Sequence, residues 1–249
     1  MTIDSLIFDF DGLIIDTETT DVEIWKILYA ENGYEYPIEL WSQVIGGWGL
    51  TTFDAAAHLH ELTHGALDME ALRIRYREDC AARLLHKPIL DGVLDILSNA
   101  QKKGLRLAIA SSSPRSWVEP HLDRLGLLDH FQLIVCGDDV PPGRTKPHPD
   151  IYLKALDMLQ IRTDQAIVFE DSPNGVTAAN AAGIFVVAVP NPTTALLKIE
   201  GADLLVDSLA SLSLEGLLER VDMQCAVNAS REPEEQRQKN TATFGRHLR

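Results

Sequence analysis

Short apolar runs recur along the chain, separated by longer stretches in which apolar residues return every three or four positions. The runs lie at residues 6–8, 105–110, 133–136, 166–169 and 185–189. They are largely continuous rather than alternating, the pattern of parallel strands covered on both faces. Between the later runs lie helix-like segments, one after Pro114, one over about 149–159, and one after Pro173. Ser113-Pro114 and Ser172-Pro173 read as helix N-caps followed by proline at the first helical position. Strands alternating with helices predict an α/β architecture, a Rossmann-like open parallel sheet with helices on both faces.

The gap between the first two strands breaks this rhythm. Residues 16–32 carry Val22, Ile24, Trp25, Leu28 and Tyr29 at helical spacing, and Gly33 stands where a helix-ending glycine belongs. Further helices are expected over 38–44, 51–62 and 68–85. An all-helical insertion of this kind predicts a cap over the carboxyl edge of the sheet, where open α/β sheets bind ligands. The expected division is a core of 1–15 and 88–225, a cap of 16–87, and a polar tail of 226–249 that forms a peripheral helix or a mobile end. Gly46-Gly47-Trp48-Gly49 breaks the cap helices; Trp48 is either a buried turn residue or a substrate contact.

Composition narrows the class. The 249 residues are 45% hydrophobic and 24% charged, with a formal net charge of -15. Such a field repels nucleic acid and anionic membranes, so neither is expected as a partner. It also repels phosphorylated substrates, so any phosphate site must be built locally. No run approaches the roughly 20 apolar residues of a membrane span. No basic leader with a small-residue cleavage site stands at the start. Cys80, Cys136 and Cys225 fit neither a disulfide framework nor a zinc site. We expect a cytoplasmic, reduced setting and a monomer.

Four polar clusters follow the predicted strands. Asp9-Phe10-Asp11-Gly12 follows Leu6-Ile7-Phe8, and Ser111-Ser112-Ser113 follows the second run. Lys146 lies in Thr145-Lys146-Pro147-His148-Pro149-Asp150, and Glu170-Asp171-Ser172 follows the fourth run. Residues two apart on a strand share a side, so Asp9 and Asp11 are expected to face one pocket, and Gly12 allows a sharp turn after them. Each cluster alone has a structural account as an acidic turn, a helix cap or a solvated lysine. Together they bring acid, hydroxyl, lysine and acid to one sheet edge. Four acids there call for a hard divalent cation, and Mg²⁺ takes oxygen ligands beside a substrate phosphate. An aspartate beside such an ion can attack phosphorus, and a second can move protons. A lysine about 4 Å away attracts with about 4 kcal/mol at an effective dielectric near 20.

This constellation resembles the haloacid dehalogenase superfamily, in its β-phosphoglucomutase-like and phosphoglycolate phosphatase-like branch. Asp16-Thr17-Glu18 and Lys146-Pro147-x-Pro149 carry the likeness to the branch. The resemblance implies Asp9 as nucleophile and Asp11 as general acid/base, with Ser111 orienting the phosphoryl group and Lys146 neutralising it. It implies Mg²⁺ held by Asp9, the Asp11 carbonyl and Asp171, with Glu170 close by. Ser112 and Ser113 are expected to help cradle phosphate, and Arg115 and Trp48 are candidate substrate contacts. The second aspartate disfavours a dehalogenase. A mutase of the branch has a cap histidine where this chain has Asp21, and a Gly-x-x-Arg loop where this chain reads Gly46-Gly47-Trp48-Gly49. We therefore expect a Mg²⁺-dependent phosphatase of a small phosphorylated metabolite, a sugar phosphate among the candidates. The alternatives are a β-phosphoglucomutase-type mutase and a catalytically idle binding domain.

Overall fold

The structure is a computed structural model that describes residues 2–43, 45 and 53–231. The first strand, β1, spans Ser5–Phe8. Among the described residues five helices precede the next strand, the first four being α1 (Thr17–Glu31), α2 (Ile38–Trp41), α3 (Ala55–Leu62) and α4 (Met69–Leu84). The core then continues through α5 (Val93–Lys102), β2 (Arg106–Ala110), α6 (Arg115–Arg124), β3 (Leu133–Val135) and α7 (Asp150–Leu159). It closes with β4 (Ala166–Glu170), α8 (Pro173–Ala181), β5 (Phe185–Ala188), β6 (Leu204–Leu205) and α9 (Leu214–Arg231).

All strand pairs are parallel, in the order β3-β2-β1-β4-β5-β6. The chain therefore moves outward from β1 on one side and returns to pair on the other. The crevice at such a reversal is where this kind of sheet binds ligands. Alternation along the strands fills two cores. Leu6, Phe8, Leu107, Ile109, Ile167 and Phe169 enter one, with α5, α6 and α9 against it. Ile7, Ala108, Ala110, Ala166 and Val168 enter the other, against α7 and α8. Burial on both faces is why these runs show no polar alternation.

The cap helices start and stop where local chemistry dictates. Asp16 accepts from the Thr19 amide at 3.0 Å to cap α1, and Gly33, at φ +80°, lets the chain leave it. Asp54 accepts from the amides of Ala56 and Ala57 and starts α3 later than the expected residue 51. α2 is shorter than the expected 38–44. Val44 and 51–52 lie outside the described residues, as does Trp48. The polar segment expected from 226 begins inside α9, and 232–249 lie outside the described residues.

The cap is fastened to the core at both of its linkers and across the sheet edge. Lys87 Nζ lies 3.2 Å from Asp16 Oδ2, and Leu90 donates its amide to the Ile14 carbonyl. Asn174 of α8 donates to the Ile45 carbonyl at 2.6 Å, and the hydroxyls of Thr19 and Thr193 lie 2.8 Å apart. Among the described residues no helix is long and apolar enough to cross a membrane.

Candidate active site

Three neighbouring strands, β2, β1 and β4, deliver the site. Phe8 is in register with Ile109 and Phe169, so the next residue, Asp9, falls level with Glu170. Its amide donates to the Phe169 carbonyl at 3.0 Å, which extends the ladder one step beyond β1. Gly12 then turns at φ +80°. A Cβ there would fall 2.2 Å from Asp171 Oδ2 and 2.7 Å from Asn191 Nδ2, so only glycine allows the turn to pack against the second acidic cluster.

Lys146 is fully buried and joins the two clusters. Its ammonium bonds Asp9 Oδ1 and lies 2.6 Å from Glu170 Oε1. Burial alone would lower the lysine's pKa, but Asp9 and Glu170 raise it, so the ammonium keeps its proton. Glu170 has little lone-pair capacity left. Tyr152 also donates to its Oε1, and the Asp171 amide and Ser172 hydroxyl lie at 3.2 and 3.4 Å from its Oε2.

Asp11 is held apart from this group. Trp117 donates its indole N–H to Oδ1 at 2.8 Å, and Ser113 donates its hydroxyl to Oδ2 at 2.6 Å. Ser111 stands 3.4 Å from the same oxygen and receives the Ser113 amide at 3.0 Å. The two aspartates thus have separate partners.

Burial pushes the Asp9 carboxyl up to about 8; Lys146 opposes this, while Glu170 and Asp11 add to it. Asp171 is raised well above the usual carboxylate range, again first by burial and then by Glu18, Asp9 and Glu170. Carboxylate oxygens of Asp9, Glu170 and Asp171 all lie within 4.8 Å of one another. A buried, oxygen-only set with more negative charge than one lysine balances fits a hard divalent cation such as Mg²⁺. Asn191 steadies this set by donating to Asp171 Oδ2 at 2.8 Å and to the Gly12 carbonyl at 3.3 Å.

Most of the expected residues meet here, but with differences. Ser113 is no cap for α6; its hydroxyl is drawn to Asp11, and Asp138 caps the helix instead by accepting the Arg115 amide at 2.8 Å. Ser172 does cap α8, accepting from the Gly175 amide. Ser112 is buried, with its carbonyl packed against Gly137. The structure does not bring Arg115 to the site. Its guanidinium bonds Glu119, Asp139 and the Ile134 carbonyl at 2.7, 2.6 and 3.0 Å. Trp117, Tyr152 and Asn191 were not legible, because each belongs to a helix or loop whose local pattern is that of packing.

The fold and this strand-end constellation match known proteins. The family model for haloacid dehalogenase-like hydrolases matches residues 6–189, and the chain belongs to that family. YhcW of Bacillus subtilis, provisionally named a phosphatase, is 39% identical over 223 residues, covering 89% of this chain and 99% of its own. Fructose-1-phosphate phosphatase YqaB of Escherichia coli is 32% identical over 185 residues, covering 74% of this chain and 95% of its own. A crystal structure from Thermotoga maritima, provisionally described as a β-phosphoglucomutase, aligns with a TM-score of 0.69 at 31% identity, over 87% of this chain and 99% of that one. The similarity thus reaches the phosphatase and β-phosphoglucomutase-like branch.

Proposed function

We propose that the protein is a Mg²⁺-dependent phosphatase that hydrolyses a small phosphorylated metabolite, a sugar phosphate among the candidates, through an aspartyl-phosphate. The observation that carries this reading is the division between the two aspartates. Asp9 shares a buried ammonium with Glu170, whereas Asp11 is aimed by Ser113 and Trp117.

In this reading Asp9 attacks phosphorus, its Oδ–P bond forming as the ester P–O bond breaks. Asp11 gives its proton to the departing alcohol oxygen. Asp11 then takes a proton from water, whose oxygen bonds phosphorus as the Asp9–P bond breaks. Lys146 offsets charge on Asp9 and the phosphoryl oxygens, and Ser111 and Ser112 help orient that group. Mg²⁺, held by Asp9, Asp171 and the Asp11 carbonyl with Glu170 near, would neutralise the phosphoryl oxygens and keep Asp9 ionised. The cap excludes bulk water when closed.

Phosphate release from a panel of phosphate monoesters tests the proposal. Release that requires Mg²⁺, stops with EDTA and vanishes in Asp9→Asn supports it; an Asp9→Asn enzyme that keeps most activity sinks the nucleophile assignment. The mutase reading draws on the Thermotoga neighbour's description. It requires conversion of β-glucose 1-phosphate to glucose 6-phosphate, primed by the bisphosphate and without phosphate release. Asp21 argues against it. It stands where the mutases carry histidine, and it already accepts the Trp41 indole N–H at 2.8 Å.

A further inference from the structure

Asn191 lies in the loop after β5, and both polar atoms of its side chain are doubly engaged. Its Oδ1 accepts the amides of Thr193 and Thr194, each at 2.9 Å. Its Nδ2 donates to Asp171 Oδ2 at 2.8 Å and to the Gly12 carbonyl at 3.3 Å. Two donors on one side and two acceptors on the other permit a single orientation of the amide. Asn191, Thr193 and Thr194 are all buried. A Cβ at position 12 would meet both Asp171 and Asn191 Nδ2, so the amide is wedged between the turn after β1 and the second acidic cluster.

The same loop reaches the cap. The Thr193 hydroxyl lies 2.8 Å from that of Thr19, in the first turn of α1. That turn is itself tied to both cap linkers. Asp16 Oδ1 accepts the Thr19 amide at 3.0 Å, and Asp16 Oδ2 lies 3.2 Å from Lys87 Nζ. A continuous polar line therefore runs from Lys87 through Asp16, Thr19, Thr193 and Asn191 to Asp171. On its outer side the loop borders a cavity of about 440 Å³ lined by Pro190, Pro192, Ala195, Leu197, Ile199 and Leu205. Packing bounds the loop less there, so the hydrogen bonds on its inner side place it.

We propose that Asn191 and Thr193 are positioning residues for Asp171, through which the seating of α1 on the core sets the affinity of the site for Mg²⁺. This rests on Asp171 as a metal ligand in the reading above. Mg²⁺ demands near-ideal geometry and tolerates little wander of a ligand oxygen. The Asn191 N–H fixes one Asp171 oxygen, and outer partners of this kind tune metal affinity by about 10- to 100-fold. Without the Thr19 hydroxyl, the Thr193 amide is freer to leave Asn191 Oδ1, and the Asn191 side chain is then freer to turn from Asp171. Linkage is reciprocal, so a seated cap and a bound Mg²⁺ favour each other by the same factor.

The test titrates the full chain with Mg²⁺ alone by isothermal calorimetry, so no turnover is needed. Asn191→Ala should weaken Mg²⁺ binding by about 10- to 100-fold. Thr19→Val and Thr193→Val nearly keep the side-chain shape and remove one hydroxyl; each should weaken it by about two- to tenfold. The double valine variant should lose no more than either single one, because both remove the same bond. A wild-type chain that takes up no Mg²⁺ overturns the proposal, as does Asn191→Ala with wild-type affinity. Valine variants that match wild type in Mg²⁺ affinity overturn it too, whatever their melting temperatures, because the hydroxyls then serve packing alone. Losses that add in the double variant overturn the link between Thr19 and Thr193. Where Asn191→Ala fails to fold, the valine variants decide. Phosphate release from the monoester panel is a separate readout. No release from any ester, together with the expected order of Mg²⁺ affinities, overturns the phosphatase reading and keeps this proposal. Mg²⁺-dependent release with one Mg²⁺ affinity across all variants does the reverse.

Discussion

The indole N–H of Trp117 reaches Asp11 Oδ1 at 2.8 Å, a bond between the first turn of α6 and the loop after β1. Together with Ser113 it gives each Asp11 oxygen its own donor. A hydrogen bond to a charged group contributes about 1.5–3 kcal/mol. Trp117→Phe keeps the ring and removes that donor. It should lower kcat and kcat/KM together by about 10- to 100-fold, with little change in melting temperature. Asp11→Asn should cost more, roughly 10²–10⁴ in kcat, the usual worth of a general acid/base. Steady-state kinetics on both variants checks the ordering.

Lys146 is the buried partner of two carboxylates. Removing one member of such a group leaves uncompensated buried charge, which costs about 3–5 kcal/mol. Lys146→Met should therefore destabilise the protein by about that amount in urea unfolding. Adding Asp9→Asn to it should recover part of the loss, because one stranded charge is then gone. A double variant no more stable than Lys146→Met would show that the cost lies in packing.

Two helical glycines should respond oppositely to alanine. At Gly216 of α9 the nearest atom to a new Cβ is 3.7 Å away, and at Gly175 of α8 it is the Glu170 carboxyl at 1.9 Å. Propensity favours alanine at both by about 0.5–1 kcal/mol. Gly216→Ala should gain that. Gly175→Ala should lose about 1–3 kcal/mol through overpacking and should weaken turnover by displacing Glu170. Thermal unfolding of the two variants side by side decides between propensity and packing.

Asp21 lies in the cap beside Trp41, Trp25 and Tyr76. Burial raises its pKa, while bonds from Tyr76, Trp41 and Trp25 oppose the rise. A carboxyl raised on folding binds more protons in the native state than in the unfolded state between the two pKa values. Stability therefore falls as pH rises through that window, and the cost is complete above the folded pKa. Asp21→Asn removes this slope. Its stability relative to wild type should thus improve steadily as pH rises from about 4, the ordinary aspartate value. Denaturant titrations across pH check the slope, whatever the offset caused by the amide.

The strands and acidic clusters are legible because their signals are local. Four of the parallel strands, β1, β2, β4 and β5, are buried on both faces, so residues such as Leu6, Ile7 and Phe8 must all be apolar, and the polar residues that follow mark the sheet edge. The end of α1 is equally local, in Asn32 and Gly33. β6 was not legible, because two residues carry no period and Leu205 is 58% exposed at the sheet edge. The role of Ser113 was not legible either. Its sequence context is that of a helix cap, and only the approach of Asp11 redirects its hydroxyl.

By itself the sequence determined the strand ends, the order of the acid, hydroxyl, lysine and acid clusters, and the helical insertion between the first two strands. Burial and capping act on neighbouring residues, so their marks stay contiguous in the chain. Only the tertiary structure decided which groups touch. It gave Lys146 to both Asp9 and Glu170, set Trp117 on Asp11, and withdrew Arg115 into its own ion pairs. Those choices depend on distances between segments far apart in the chain. Electrostatic and hydrogen-bond energies change steeply over a few ångströms that no spacing in the sequence records.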